Sequence, residues 1–170
     1  IHCHDWQTGL VSVLLDAHYR QYRNNGYFKK MHTLFTIHNL KYQGVFPKEI
    51  MNDLIGLDWR FFHEDGIEYY DHVNFLKAGL SYSAAISTVS KTYAEEIKYD
   101  FFGENLQELI KKRSNDMFGI VNGIDFENNN PVDDTRLYAQ FSMDDLSGKA
   151  ENKRMLQQEL GLVQSPHTPI

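Results

Sequence analysis

Leu34-Phe35-Thr36-Ile37-His38-Asn39 decides how the rest of the chain is read. Four β-prone residues end abruptly on an imidazole and an amide, the pattern of a short strand that stops at a polar edge. Ile86-Ser87-Thr88-Val89 is a second such run, and Phe118-Gly119-Ile120-Val121 is a third, closing on Asn122-Gly123-Ile124-Asp125. The opening Ile1-His2-Cys3-His4-Asp5 reads like the last residues of a strand, with Trp6 and Gln7 directly after. Helical spacing fills the gaps between these runs. Leu10, Val11, Leu14, Leu15 and His18 mark one helix, stopped by Asn24-Asn25-Gly26; Val73, Leu76, Leu80 and Ala84 mark another. Thr92-Tyr93-Ala94-Glu95 has capping-box form and predicts a helix to about Lys98. Leu106, Leu109 and Ile110 predict a further helix, ending in Lys111-Lys112-Arg113, charges that suit a helix C-terminus. The aromatic stretch from Lys41 to Tyr70 is expected to be mostly loop, with one short helix near Leu57–Phe62.

Alternating strands and helices predict an α/β fold, since parallel strands need crossovers that place helices on the sheet faces. The expected architecture is an incomplete Rossmann-like parallel sheet with flanking helices. Residues 122–146 break the alternation. Six acids (Asp125, Glu127, Asp133, Asp134, Asp144, Asp145) stand there against Arg136 alone, and predict a solvated connector. A last helix from about Leu146 to Leu160 ends with Gly161 in a C′ role.

The totals narrow the function classes. The 170 residues carry a net charge of −6, which offers nucleic acid or an anionic membrane no broad basic patch. Mean hydropathy is −0.50, and no apolar run approaches the roughly 20 residues of a membrane helix. A single cysteine, Cys3, forms no internal disulfide and leans toward a reducing compartment. Aromatic residues make up 14% of the chain, enough for a core and a stacking surface against something flat, such as a sugar face. The chain opens without Met and closes on Ser165-Pro166-His167-Thr168-Pro169-Ile170, and both ends are expected to be those of a fragment.

Ligands in open α/β sheets bind outside the carboxyl ends of the strands. Three such ends carry polar clusters: His4-Asp5-Trp6, His38-Asn39 and Asn122-Gly123-Ile124-Asp125. Together they place carboxylates, imidazoles, amides and an indole on one rim, a set that suits a polyhydroxylated ligand. Neither a Ser or Cys nucleophile beside a base nor a Gly-rich phosphate loop appears. His2 and His4 form a His-x-His pair at a strand end, as in some metallohydrolases, so a metal-dependent hydrolase using His2/His4 is a rival reading.

At these residues the chain resembles the bacterial glycogen synthase and plant starch synthase family, retaining glucosyltransferases of the two-domain GT-B fold. The resemblance rests on six collinear blocks: His4 to Leu10, Thr36 to Gly44, Asn74 to Leu80, Ile86 to Ile97, Gly119 to Asp125, and Lys149 to Arg154. Two departures stand out. Asn24 to Lys30 is longer than the usual connection, and Lys91 replaces a common proline.

The resemblance implies transfer of glucose from ADP-glucose to the non-reducing end of an α-1,4-glucan, with another sugar-nucleotide glycosyltransferase as the near alternative. It implies that residues 1–125 are the second half of the N-terminal domain, 126–146 the interdomain connector, and 147–170 the start of a C-terminal domain. Asp5 and His38 take the catalytic positions by resemblance. Asn122 stands beside the donor glucose, Trp6 near the acceptor glucan, and Asn39, Tyr42 and Gln43 among the substrate-binding residues. The partners implied are a sugar nucleotide and an α-glucan, with no cofactor, metal, nucleic acid or membrane. The location implied is the cytoplasm, or the plastid in a plant. The isolated fragment is expected to be inactive and to self-associate through an open sheet edge.

Overall fold

The computed structural model describes residues 1–22 and 30–170. The Asn24-Asn25-Gly26 stop and nearly all of the Asn24–Lys30 connection therefore lie outside the described residues. The chain divides into two compact units, Ile1–Asn122 and Gly123–Ile170.

The first unit is built on a parallel sheet of four strands: β1 (His2–His4), β2 (Leu34–Ile37), and two later strands defined below. After β1 comes a single 3-10 turn, Trp6–Thr8, and then α1 (Leu10–Tyr19). The fold is α/β, and the expected strands are present. The Lys41–Tyr70 stretch has a short helix where one was expected, a 3-10 turn over Trp59–Phe61, but otherwise departs from expectation. It holds β3 (Val45–Pro47) and β4 (Glu68–Tyr69), which pair antiparallel to β5 (His72–Asn74) in a second, three-stranded sheet. Val73, expected on a helix, is the buried middle of β5.

α2 (Phe75–Tyr82) begins one residue after β5, because the Asn74 side chain accepts a hydrogen bond from Lys77 N at 2.8 Å. β6 (Ala85–Thr88) lies between β2 and β7 (Met117–Gly119), and the sheet order is β1-β2-β6-β7. The β7 ladder goes one bond further, from Ile120 N to Thr88 O at 2.8 Å. α3 (Lys91–Glu96) is capped by Ser90, whose Oγ accepts from Tyr93 N, rather than by the expected Thr92-x-x-Glu95 box. α4 (Gln107–Lys112) precedes β7. Among the described residues β1 has a partner on one side only.

Two apolar clusters hold this unit. Cys3, Phe35, Ile37, Leu76, Leu80, Ile86 and Ile110 belong to the cluster that backs the parallel sheet. Val13, Met51, Phe61, Ile67, Val73 and Ala78 belong to the cluster under the antiparallel one. α2 serves both, so Leu76 through Leu80 are all buried. Each fully buried Leu, Ile or Phe contributes roughly 1.5–3 kcal/mol of transfer free energy. The approach is close enough that a Cβ on Gly79 would collide with the Phe35 ring.

In the second unit the acidic stretch is knitted by its own side chains rather than left loose. Asp125 Oδ1 accepts from the main chain of Glu127 and Asn128, and Asp134 takes the Arg136 guanidinium in two bonds. That guanidinium holds the Asp134 carboxyl down at about 2. α5 (Ser147–Glu159) follows. It ends as expected: Gly161 takes a left-handed φ of 65°, and Leu162 N donates to Gln157 O at 2.8 Å. No helix among the described residues is long and apolar enough to cross a membrane.

Candidate active site

The carboxyl ends of β1 and β2 meet at Asp5 and His38. Asp5 turns the chain out of β1 with φ 53° and ψ −175°, a strained backbone conformation that side chains other than glycine rarely adopt. Its main chain is tied by Asp5 N to Thr36 O at 3.0 Å, and by Thr8 N to Asp5 O at 3.2 Å. The turn sends the carboxylate across to β2, where Oδ1 accepts from His38 N at 2.8 Å. One carboxylate oxygen thus fixes the loop carrying His38, and Oδ2 has no partner among the described residues. The carbonyl just before His38 is also held, accepting from Thr88 Oγ1 at 2.9 Å.

The His38 ring is exposed, and its Nε2 lies 3.0 Å from Nδ1 of His4. Thr8 straps His4 by accepting from His4 N at 2.6 Å and donating to His4 O at 2.7 Å. His2 flanks His4 with ring centroids 4.1 Å apart, and its Nε2 bonds Thr36 Oγ1 at 2.6 Å. Partial burial, followed by the charges of His4, the amino terminus and His38, holds the His2 imidazole below its ordinary value. These partners are protein groups. Among the described residues no three His, Cys, Asp or Glu side chains gather to hold a metal ion.

Asn122 stands after β7, two strands along from His38. It comes three residues after the end of β7, where the chain has left the sheet, and no hydrogen bond joins it to His38 among the described residues. Asn122 is exposed, and its amide makes no hydrogen bond among the described residues. Asn39 is also exposed, but its Oδ1 accepts from Lys41 N at 3.1 Å and shapes the turn after β2.

A groove of about 500 Å³ opens beside this rim, lined by Trp6, Tyr42, Phe46, Tyr69, Glu104 and Asn105 among others. Trp6 is half-buried, its indole packed against Phe46 and Phe75 with centroids 5.9 and 6.3 Å away. Gly44 adopts φ 63°, and a Cβ there would strike the indole. Tyr42 is 64% exposed and lies free along the wall. Gln43 is different. It is buried, its Oε1 accepts from Asn74 Nδ2 at 2.5 Å, and its Nε2 donates to Glu104 O at 2.9 Å. Gln43 therefore shapes the groove from beneath and shows it no free polar atom. Tyr69 adds a second bond to Glu104 O at 3.2 Å, and burial pushes its phenol up so that it stays a neutral donor. Glu104 and Asn105 both hold positive φ, 47° and 62°, strained positions gathered on the groove wall.

Sequence reading did not single out Thr8, Tyr69, Asn74, Glu104 or Asn105. The available signal for Asn105 was its residue type, since Asn tolerates left-handed backbone. Thr8 and the capping role of Asn74 rest on local bonds three or four residues long, and Tyr69, Glu104 and the Asn74–Gln43 bond depend on tertiary pairing.

A family model described as "Starch synthase catalytic domain" matches residues 1–112. Glycogen synthases of Alkaliphilus metalliredigens and Clostridium acetobutylicum are 45% and 46% identical over all 170 residues. This chain spans 35% of the length of each of those relatives. The catalytic domain of starch synthase IV from Arabidopsis thaliana, solved bound to ADP and acarbose, superposes with a TM-score of 0.79 at 37% identity. That alignment takes in 97% of this chain and 33% of the other.

Proposed function

We propose, because this chain belongs to the starch synthase catalytic domain family, that it forms part of a retaining glucosyltransferase. In this reading the whole protein moves glucose from ADP-glucose to the non-reducing end of an α-1,4-glucan, in the cytoplasm, or in the plastid of a plant. Residues 1–125 are the second half of its N-terminal domain, 126–146 the connector, and 147–170 the entry to the C-terminal domain. The observation that carries the reading is the Asp5 carboxylate bonded to the main chain of His38 at the carboxyl rim of a parallel sheet, where α/β proteins bind ligands.

Chemically, His38 faces the glucose of the donor. Its ring hydrogen-bonds a glucose hydroxyl, and its carbonyl dipole stabilises positive charge building at the anomeric carbon. Asp5 acts through His38 with Oδ1 and keeps Oδ2 for a sugar hydroxyl. Asn122 offers both a donor and an acceptor to the sugar. Trp6 and Tyr42 give the acceptor glucan flat apolar faces, while Gln43 and Asn39 hold the loop between them. Cations and helix N-termini of the C-terminal domain neutralise the diphosphate.

The test is glucose incorporation into glycogen by the full-length protein, with ADP-glucose and UDP-glucose as competing labelled donors. ADP-glucose is expected to be used preferentially, and preference for the uridine donor would move the reading to the neighbouring activity. The isolated 170-residue chain is expected to transfer no glucose, because only a closed two-domain cleft positions both substrates. The outer edge of β1 is expected to drive self-association of that chain, and a clean monomer in sedimentation at high concentration would count against it.

A further inference from the structure

We propose that His4 is a positioning residue for His38: it holds the His38 ring through Nε2 and leaves Nδ1 as the nitrogen presented to the glucosyl donor. The inference rests on the reading of His38 given above.

The two side chains are 34 residues apart in sequence, and the parallel register puts them on neighbouring strand ends. Their nitrogens are 3.0 Å apart, a hydrogen-bond distance. A neutral imidazole carries one N–H and one lone pair. A bond between two such rings forces them into opposite roles, so the occupancy of Nε2 on His38 determines what Nδ1 can do. His4 is itself well braced. Thr8 clamps its main chain on both sides, and the His2 ring packs against its own. Its ring has one polar partner among the described residues, and that partner is His38. Main-chain bonds hold the loop, from Asp5 to His38 N and from Thr88 to Ile37 O. The ring torsion of His38 is free of those bonds, and the His4 bond is what restrains it.

An exposed hydrogen bond of this kind contributes little to folding. Its loss is therefore expected to register in the chemistry rather than in stability. Asn is the informative replacement, because its amide nitrogen occupies about the place of a histidine Nδ1 and keeps a donor there. Gln sets the amide one bond further out.

The experiment uses the full-length protein with ADP-glucose and glycogen. His4→Ala is expected to lower kcat about tenfold while KM for ADP-glucose stays within about twofold, the pattern of a lost transition-state contact. His4→Asn is expected to recover most of that loss, and His4→Gln little of it. The double variant His4→Ala/His38→Ala is expected to be no slower than His38→Ala alone, since residues that act as one unit are not additive. Thermal unfolding of the single variants is expected to match the parent. If His4→Ala turns over normally while His38→Ala is slow, the positioning role is overturned and the active-site reading stands. A His4→Asn protein as slow as His4→Ala, with unchanged unfolding, overturns it too. A normal His38→Ala enzyme would instead remove the active-site reading beneath it.

Discussion

The two sheets of the first unit divide the work differently. The parallel sheet β1-β2-β6-β7 packs against apolar side chains and ends in polar ones, so its chemistry sits where its strands stop. The antiparallel sheet β3-β5-β4 has strands of two or three residues and offers no such rim. Its polar groups turn inward: Asn74 is fully buried and joins the Gln43 amide to the start of α2. One sheet presents functional groups, and the other braces the groove beside them. Changes in the polar residues at the strand ends of the first should alter turnover and leave stability alone; changes in the buried polar residues of the second should do the reverse.

The largest expected effect is on the parallel side. His38→Ala in the full-length protein should lower kcat about a hundredfold, or about 3 kcal/mol, the usual cost of one contact that strengthens in the transition state. Its unfolding curve should match the parent, and steady-state kinetics beside thermal denaturation checks both halves. Next comes Asn74→Ala on the antiparallel side. The lost helix cap costs about 1 kcal/mol, and the stranded Gln43 oxygen adds about 1–2 kcal/mol. A lower urea midpoint with nearly normal kcat is expected, and a large fall in kcat at unchanged stability would merge the two roles.

Smaller effects sharpen the boundary. Tyr42→Ala removes an exposed ring from the groove wall. It should raise the glucan KM about two- to tenfold, the worth of one aromatic contact of about 0.5–1.5 kcal/mol, with kcat unchanged. Smallest is Lys48→Met, which breaks the ion pair with Asp71 beside β3 and β5. Exposed pairs of this kind contribute little, so calorimetry should find the melting temperature unmoved.

The parallel sheet was legible in the sequence because Leu34–Ile37 and Ile86–Val89 are unbroken β-prone runs with polar stops. The second sheet was not. Val45-Phe46-Pro47 and Glu68-Tyr69 are too short to show a period, and Val73 shares a helical spacing with Leu76 and Leu80. The cap of α3 was misread for a related reason: Ser90 and Thr92 are both good caps, and the end of β6 decides between them. At the site, residue types pointed to Asp5, His38 and Trp6. The inward roles of Gln43 and Asn74, and the meeting of His4 with His38, come from pairings tens of residues apart that no local pattern encodes.

Cys3, the single cysteine of the chain, sits in the middle of β1 opposite Phe35 and is 2% exposed. Burial pushes its thiol up, so while β1 is docked the sulfur is both hidden and protonated. A disulfide reagent reaches it only when the packing around β1 opens. Labelling of the isolated chain therefore reports that local opening. When reclosing outpaces labelling, the labelling rate divided by that of the unfolded chain is the equilibrium constant of the opening, and its logarithm gives the free energy. Because β1 leads into Asp5 and also carries His4, the same ratio measures the fraction of time for which the His4–His38 side of the rim is undone.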